Sequence, residues 1–421
     1  MTLLYRAPRG TQDILPEEQS YWRFVEGVAA DIAQLYGYER IDTPVFEDAG
    51  LFTRTVGEGT DIVEKEMYTF TDRGGGQVTL RPEGTASVCR AYLEHGMRNL
   101  IQPVKLFYLT PIFRYEKPQA GRFRQHHQFG CEAIGEGDPS LDAEVIDMAW
   151  QLFVSLGLNS FTLQINSIGC KQCRPGYLKA LESFYASCPQ QVCPECTVRL
   201  KRNPLRLLDC KKPQCQEIAT GAPKSIDHLC IDCREHFEKL KKYLGFLGLP
   251  FNINHCLVRG LNYYTRTVFE IQPQLEGSQS TLCGGGRYDD LIDELGGQPT
   301  PAIGFASGIE RIILNLKRQN IQISNIPKPK AFFAYVGQEA QHEVIKQAAL
   351  IRKKGIGVFQ TLGIKSLKSQ LRQANTLGVT FTVIFGEEEL KSGMLTVRNM
   401  TTAQQELVAI KDLENYLKNT G

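Results

Sequence analysis

The stretch FRYEKPQAGRFRQHHQFGCE, Phe113–Glu132, lies between the apolar runs VKLFYLTPIF and FGCEAIG, and leaves this chain few ways to fold. The flanks read as buried strands, yet Arg114, Lys117, Arg122, Arg124, Glu116 and Glu132 crowd the segment they enclose. Charge that is buried without a partner is costly, so these groups need protein, phosphate or nucleic acid to face. Two strands joined by a KPQAGR loop, with Pro118 and Gly121 as turn residues, satisfy the pattern. Alternate residues then share a face. Ile112, Arg114 and Glu116 line up on the first strand, and His126, Gln128, Gly130 and Glu132 on the second. Lys117, Gln119, Arg122 and Arg124 fall at the loop. A salt-bridged hairpin on a solvated face is the plain alternative; a face that also binds a ligand accounts better for the density.

The 421-residue chain has room for two or three domains, and its 42% apolar content can fill real cores. Net charge is +2, so nothing global demands nucleic acid, but residues from Lys328 onward hold 13 Lys/Arg against 8 Asp/Glu. A mildly basic C-terminal module suits a polyanion partner. No run approaches the roughly 20 apolar residues of a membrane span, and MTLLYRAPRGTQDILPEE lacks a signal-peptide core. The expectation is a soluble cytoplasmic protein without disulfides, whose 13 cysteines serve metal, catalysis or burial.

Apolar residues at helical spacing (Trp22, Val25, Val28, Ile32, Leu35) predict a first helix closed by Gly37. YERIDTPVFE reads as a strand whose Pro44 belongs at an edge or interface. EMYTFTDRGGGQVTLRPEGT reads as a hairpin, DAEVIDMAWQLFVSLGL as a helix, SFTLQINSIG as a strand and EHFEKLKKYLGFLG as a helix. Strand-like character returns at LVRGLNYYTRTVFEIQP, and PAIGFASGIERIILNLKRQN is a strand feeding a helix. After the linker IQISNIPKPK, strands and helices alternate, ending with QELVAIKDLENYLKN as a helix; this predicts a separate small α/β domain.

Glu83, in RPEGT, is either a turn-capping residue or a partner for a cationic amine. LVRGLNYYTRTVFE offers Arg259, suited to phosphate through paired donors, and Tyr263 and Tyr264, suited to a flat heteroaromatic ligand. The glycines of LCGGGRYDD either admit a ligand close to the backbone or make a tight turn. GFASGIERI sets Arg311 near a helix start. A G-x-x-x-x-G-K-[ST] loop is absent, so any nucleotide would be held by arginines on a mainly antiparallel sheet.

Together these segments resemble the histidyl-tRNA synthetases of class II over essentially the whole chain. TPVFE is similar to motif 1, FRYEKPQAGRFRQHHQFGCE to motif 2 and GFASGIERI to motif 3; LVRGLNYYTRTVFE and GGGRYD resemble the two histidine-specific signatures. The resemblance implies an α+β catalytic domain over 1–325, interrupted by a Cys-rich insertion at 170–245, and an α/β anticodon-binding domain at 329–421. It implies histidine activation with ATP and Mg²⁺, transfer to the 3′ end of tRNA(His), and a homodimer. Arg114, Arg259 and Arg311 would be catalytic. Arg114, Glu116 and Arg311 would hold ATP. Glu83, Thr85 and Gln128 would hold the α-amino end of histidine. Glu132 and Tyr264 would read the imidazole beside Tyr263 and Tyr288. Lys117, Gln119 and Arg122 would meet the tRNA acceptor end. Two positions depart from the family pattern: Asn262 replaces the usual Asp, removing a negative charge near the histidine site, and Asp290 replaces a turn Gly. A related regulatory paralogue of histidine biosynthesis lacks the anticodon domain and has eroded motifs; the three arginines and the basic C-terminal module here argue against it. A zinc-dependent RNA-binding module with a degenerate site is the third reading.

The pairs Cys170/Cys173, Cys193/Cys196, Cys210/Cys215 and Cys230/Cys233 have spacings that let two thiolates grip one tetrahedral metal. They make two Cys₄ zinc sites, or one site and spare thiols, and zinc is favoured over plain reduced cysteines. Many members of the family lack these cysteines, which places the metal in a structural role within an insertion poor in apolar residues. Cys89, Cys131, Cys188, Cys256 and Cys283 read as ordinary thiols.

Overall fold

The charged hairpin organises the largest sheet. In the computed structural model, which describes residues 4–57, 60–117, 122–188, 192–274, 281–324 and 326–420, its arms are two ten-residue strands. The strands of the first unit, Met1–Ile323, are β1 (Glu39–Arg40), β2 (Phe46–Asp48), β3 (Tyr68–Thr71), β4 (Gln77–Leu80), β5 (Val104–Phe113), β6 (Gln125–Ile134), β7 (Phe161–Ser167), β8 (Phe251–Ile253), β9 (Thr265–Pro273), β10 (Cys283–Arg287) and β11 (Ala302–Gly308). Eight of them form one sheet in the order β1-β5-β6-β11-β10-β9-β7-β8. Its five inner pairings are antiparallel and its two edges parallel, as the mainly antiparallel reading expects. β2, β4 and β3 make a small antiparallel sheet.

Period-two alternation sorts the large sheet into two faces. Phe129 and Cys131 of β6, Phe305 of β11 and Phe269 of β9 point to one side, where they pack with Trp22, Val25 and Ala29 of the helix Gln19–Leu35 and Ile146 and Ala149 of Pro139–Ser155. Gln128, Gly130 and Glu132 therefore face the other side, as predicted. The helix Pro139–Ser155 starts on Asp138, whose carboxylate accepts from Ser140 N, with proline at the first position. Gly37, at a φ of +76°, ends the first helix as expected.

Several elements differ from the sequence reading. YERIDTPVFE is not one strand: β1 and β2 belong to different sheets, and Pro44 lies between them, where its carbonyl and that of Thr43 accept from Arg81 Nη1. Leu257–Tyr264 is a loop, and strand pairing starts at Thr265. The three glycines are neither a turn nor a loop but the middle of β10, buried between β9 and β11. The Cys-rich insertion is helical (Arg174–Ala186, Pro194–Arg202, Pro213–Thr220) and not poor in core residues: Tyr177, Leu181, Tyr185 and Leu207 are buried in one cluster with Val268 and Tyr288 of the catalytic sheet. Pro118, Gln119 and Gly121 lie outside the described residues.

The second unit, Ser324–Gly421, is a five-stranded sheet of β12 (Ala331–Tyr335), β13 (Val358–Gln360), β14 (Phe381–Phe385), β15 (Met394–Asn399) and β16 (Gln405–Ala409), ordered β13-β12-β14-β15-β16. QELVA, expected to open a helix, is instead β16, paired antiparallel with β15. The helix starts only at Leu413. Five residues with Val408 alone buried carry too little pattern to separate a strand from a helix, and pairing with β15 decides between them. Among the described residues, no helix is long and apolar enough to cross a membrane.

Candidate active site

A cavity of about 300 Å³ opens on the sheet face away from the Phe129–Phe305 core. Gln128 and His126 of β6, Gly304 and Ala306 of β11, Gly284 of β10 and Glu270 of β9 form its floor. The loop Val258–Tyr264 and the start of the helix Thr85–Glu94 form walls. Its size is at the small end of ordinary ligand sites.

Three arginines line it. Arg114 leaves β5 and donates from Nε to Pro82 O at 2.7 Å, which fixes the guanidinium plane. Glu116 lies between it and Arg122, at 3.9 and 3.4 Å. Arg311 donates from Nη1 to Thr281 O at 3.2 Å. Its neighbour Glu310 turns back to β6, accepting from His127 N at 2.9 Å and meeting His127 Nδ1 at 3.0 Å, so the helix Ile309–Arg318 is stapled to the hairpin. Arg259 pairs with Glu270, whose second oxygen accepts from Gln272 Nε2 at 2.7 Å and Thr281 Oγ1 at 3.0 Å. The Arg259 guanidinium lies flat over β10, and a Cβ on Gly284 would come within 2.3 Å of it. Burial, with Arg114 and Arg311 nearby, pushes the His126 imidazole down to about 3, so it faces the cavity neutral.

Beside them lies a buried carboxylate pair with tyrosines. Glu83 accepts from Thr85 N and Ala86 N, both at 2.8 Å, and from Tyr263 OH at 3.3 Å. Glu83 therefore satisfies the first amides of the helix Thr85–Glu94, as the turn-capping reading expects, and it also lines the cavity. Glu132 sits behind the wall rather than on it, 1% exposed. It accepts from Thr85 Oγ1 at 2.7 Å, Tyr108 OH at 3.1 Å and Tyr288 OH at 2.5 Å. Gly304 is required here, since its Cβ would fall 1.9 Å from Glu132 Oε2. Burial pushes the Glu132 carboxyl up to about 8 despite these donors, with the Glu83 charge adding to the effect.

That shift has a sign that can be tested. Between the ordinary carboxyl range and about pH 8, folded Glu132 keeps a proton that the unfolded chain has lost. Stability falls as pH rises through that window and levels off above it. Thermal melts of the wild type and of Glu132→Gln, from about pH 5 to about pH 9, should diverge, the wild type losing more. Parallel curves would remove Glu132 as the titrating group.

The cavity thus gathers Arg114, Arg259, Arg311, Glu116, Arg122, Glu83, Thr85, Gln128, Tyr263, Tyr264 and Tyr288, separated by up to 228 positions or less in the sequence. Lys117 is exposed, and Gln119 lies outside the described residues. Arg124 stacks on the Tyr115 ring, 3.6 Å from its centroid, so its partner is protein. Asn262 does not line the cavity: its Oδ1 accepts from Asn203 Nδ2 of the insertion at 2.8 Å, and its amide abuts Gly57. The missing charge at that position therefore falls beside the insertion. Asp290 pairs with Lys171 at 3.3 Å. Sequence reasoning missed Glu270, although it closes the LVRGLNYYTRTVFE motif and is an odd charge in an apolar strand. It also missed Tyr108, Thr281, and Arg206 and Asp209 of the insertion, which no local signal marks. The eight paired cysteines gather in two groups of four, Cys170/Cys173/Cys230/Cys233 and Cys193/Cys196/Cys210/Cys215. Of the others, Cys89, Cys131 and Cys283 are buried and Cys188 and Cys256 half-buried.

A mainly antiparallel sheet whose pocket gathers three arginines, the buried carboxylate of Glu83 and a group of tyrosines defines a class II aminoacyl-tRNA synthetase catalytic domain. The comparisons agree and are more specific. The family model for histidyl-tRNA synthetase matches residues 10–172 and 218–312, and that for an anticodon binding domain matches 330–420. The histidine–tRNA ligase of Dehalococcoides mccartyi (strain ATCC BAA-2266 / KCTC 15142 / 195) is 61% identical over 410 residues, covering 97% of this chain and 98% of that protein. That of Caldanaerobacter subterraneus subsp. tengcongensis is 48% identical over 417 residues, covering 99% and 100%. The crystal structure of apo S. aureus histidyl-tRNA synthetase superposes with a TM-score of 0.83 at 38% identity, covering 99% of this chain and 100% of that one. The chain belongs to the histidyl-tRNA synthetase family.

Proposed function

We infer that the chain is a histidine–tRNA ligase in which the arginines of the cavity and its Glu83–tyrosine group divide the labour. The histidine carboxylate attacks the α-phosphorus of ATP, pyrophosphate leaves, and the histidyl group then passes from the adenylate to a hydroxyl at the 3′ end of tRNA(His), with AMP leaving. The observation that carries the reading is the gathering of Arg114, Arg259 and Arg311 with Glu83 and the tyrosines in one pocket. Charge that develops at phosphorus is stabilised best by donors already fixed in place. Pro82 O, Glu270 and Thr281 O fix the three arginines.

Arg114 takes the α-phosphate, Arg311 the adenine and triphosphate, and Arg259 the carboxylate and α-phosphate during attack. Glu83, Thr85 and Gln128 receive the α-ammonium. Tyr264, Tyr263 and Tyr288 surround the imidazole, with Glu132 orienting that wall through the hydroxyls of Thr85, Tyr108 and Tyr288. Mg²⁺ travels with the triphosphate and neutralises its charge; Glu116, a cavity carboxylate held only by arginine contacts of 3.4 and 3.9 Å among those described, fits a magnesium-bound water. Lys117, Gln119 and Arg122 meet the acceptor end, and residues 329–421 meet the anticodon with their positive balance. The domain limits 1–325, with 170–245 inserted, belong to the same reading, as do a cytoplasmic setting and a homodimer. Exposed Val45 and Phe46, next to Pro44, give the dimer an apolar patch in the motif 1 segment. Structural zinc in the insertion completes it.

The test is ATP–pyrophosphate exchange with each of the twenty amino acids. Exchange with histidine alone supports the reading. No exchange with any of them, from folded protein, removes the enzymatic function and favours the regulatory paralogue.

A further inference from the structure

The insertion's cysteines stand closer to a metal geometry than reduced thiols require. A tetrahedral zinc with Zn–S bonds of about 2.3 Å holds its sulfurs about 3.8 Å apart. Cys170 Sγ lies 3.8 Å from both Cys173 Sγ and Cys230 Sγ, and Cys193 Sγ lies 3.9 Å from Cys210 Sγ. Within each group of four, every pair of sulfurs lies within 4.8 Å. Backbone amides point at the sulfurs, Cys170 N to Cys173 Sγ at 3.2 Å and Cys193 N to Cys215 Sγ at 3.3 Å, which stabilises thiolate rather than thiol. The second group is fully buried. It lies in 173–217, the segment that the family model leaves unmatched.

The two groups occupy different places. The first joins the two ends of the insertion, the start of the helix Arg174–Ala186 and the start of Ile231–Phe246. Arg174, next to Cys173, donates to Tyr264 O at 2.5 Å and Gly169 O at 3.2 Å. The second encloses the turn Asn203–Asp209 between Cys196 and Cys210. That turn brings Arg206 and Asp209 onto the cavity wall. Arg206 reaches Asp209 at 3.7 Å and Asp61 at 3.8 Å, and its Nη1 lies against Gly260, one residue from Arg259.

We propose that the insertion binds two zinc ions, one through Cys170, Cys173, Cys230 and Cys233 and one through Cys193, Cys196, Cys210 and Cys215, and that the second positions Arg206 on the wall of the catalytic pocket. Each ion converts a short helical segment into a rigid knuckle. Arg206 acts as a positioning residue: it supports the loop that carries Arg259.

Metal analysis of protein produced in zinc-containing medium is expected to give two zinc per chain. Cys233→Ser and Cys215→Ser should each lose one equivalent, and Cys89→Ser and Cys256→Ser none. If the ligand variants fail to fold, mercurial titration of the wild type decides instead: zinc should leave in two equivalents as eight thiols are consumed. Substoichiometric zinc with eight freely reactive thiols, or iron with inorganic sulfide, overturns the assignment. For the second part, KM and kcat in pyrophosphate exchange are compared for Arg206→Ala, Cys215→Ser and the double variant. Arg206→Ala should keep both zinc ions yet lower kcat, as a displaced Arg259 would, and adding it to Cys215→Ser should cost little more. Fully additive losses overturn the positioning role and leave the zinc count standing.

Discussion

Arg259→Ala is expected to lower kcat for histidine-dependent pyrophosphate exchange by about 10²–10³-fold, the usual cost of removing one fixed donor from a developing charge. The expectation follows from how the side chain is held. Its guanidinium pairs with Glu270, and Glu270 is held in turn by Gln272 and Thr281 at 2.7 and 3.0 Å. Gly284 gives it a flat floor, with no room for a methyl group. An arginine fixed in this way pays no reorganisation when charge appears on the α-phosphate. The loss should fall mainly on kcat, because the interaction strengthens in the transition state. Arg259→Lys should recover little, since a point charge cannot reproduce the planar fork. A loss confined to KM would make Arg259 a ground-state binding group instead.

Arg287→Ala should destabilise the protein by about 3–5 kcal/mol, the range for breaking a buried ion pair from one side. Arg287 is fully buried at the end of β10; it contacts Asp142 and Asp289 at 2.8 Å and donates to Glu136 O at 2.9 Å. Asp142 is itself fully buried, and burial already pushes its carboxyl up to about 6 against the pull of Arg287. Without the guanidinium that pKa rises further. The variant's penalty therefore grows as pH rises above about 6, where Asp142 has ionised in the folded wild type but keeps its proton in the variant. Equilibrium urea unfolding at about pH 5 and about pH 8 should show the larger deficit at the higher pH. Adding Asp142→Asn should restore part of it, because the orphaned charge is then gone. An unchanged midpoint would mean that the pair contributes nothing beyond its own desolvation.

The sequence determined the elements whose pattern is local. Alternation in VKLFYLTPIF and QHHQFGCE is strong enough to give β5 and β6 and the face that Gln128 and Glu132 share. Helical spacing from Trp22 to Leu35 is equally plain, and the cysteine spacings expose the pairs. Arg114, Arg259 and Arg311 were singled out by the family resemblance, and all three line the cavity. What the tertiary structure decided is who those partners are. Glu270, Tyr108 and Thr281 carry no local mark; they reach the site through strand register and loop closure. GGG reads as a turn until Arg259 and the neighbouring strands are laid over it, and QELVA reads as a helix until the β15 edge is offered to it. The pairing of eight cysteines into two groups, and the arrival of Arg206 at the pocket, also depend on contacts far apart in the chain. Periodicity records which side of an element is buried, but not what it is buried against; that is set by packing between elements, which no single stretch of sequence contains.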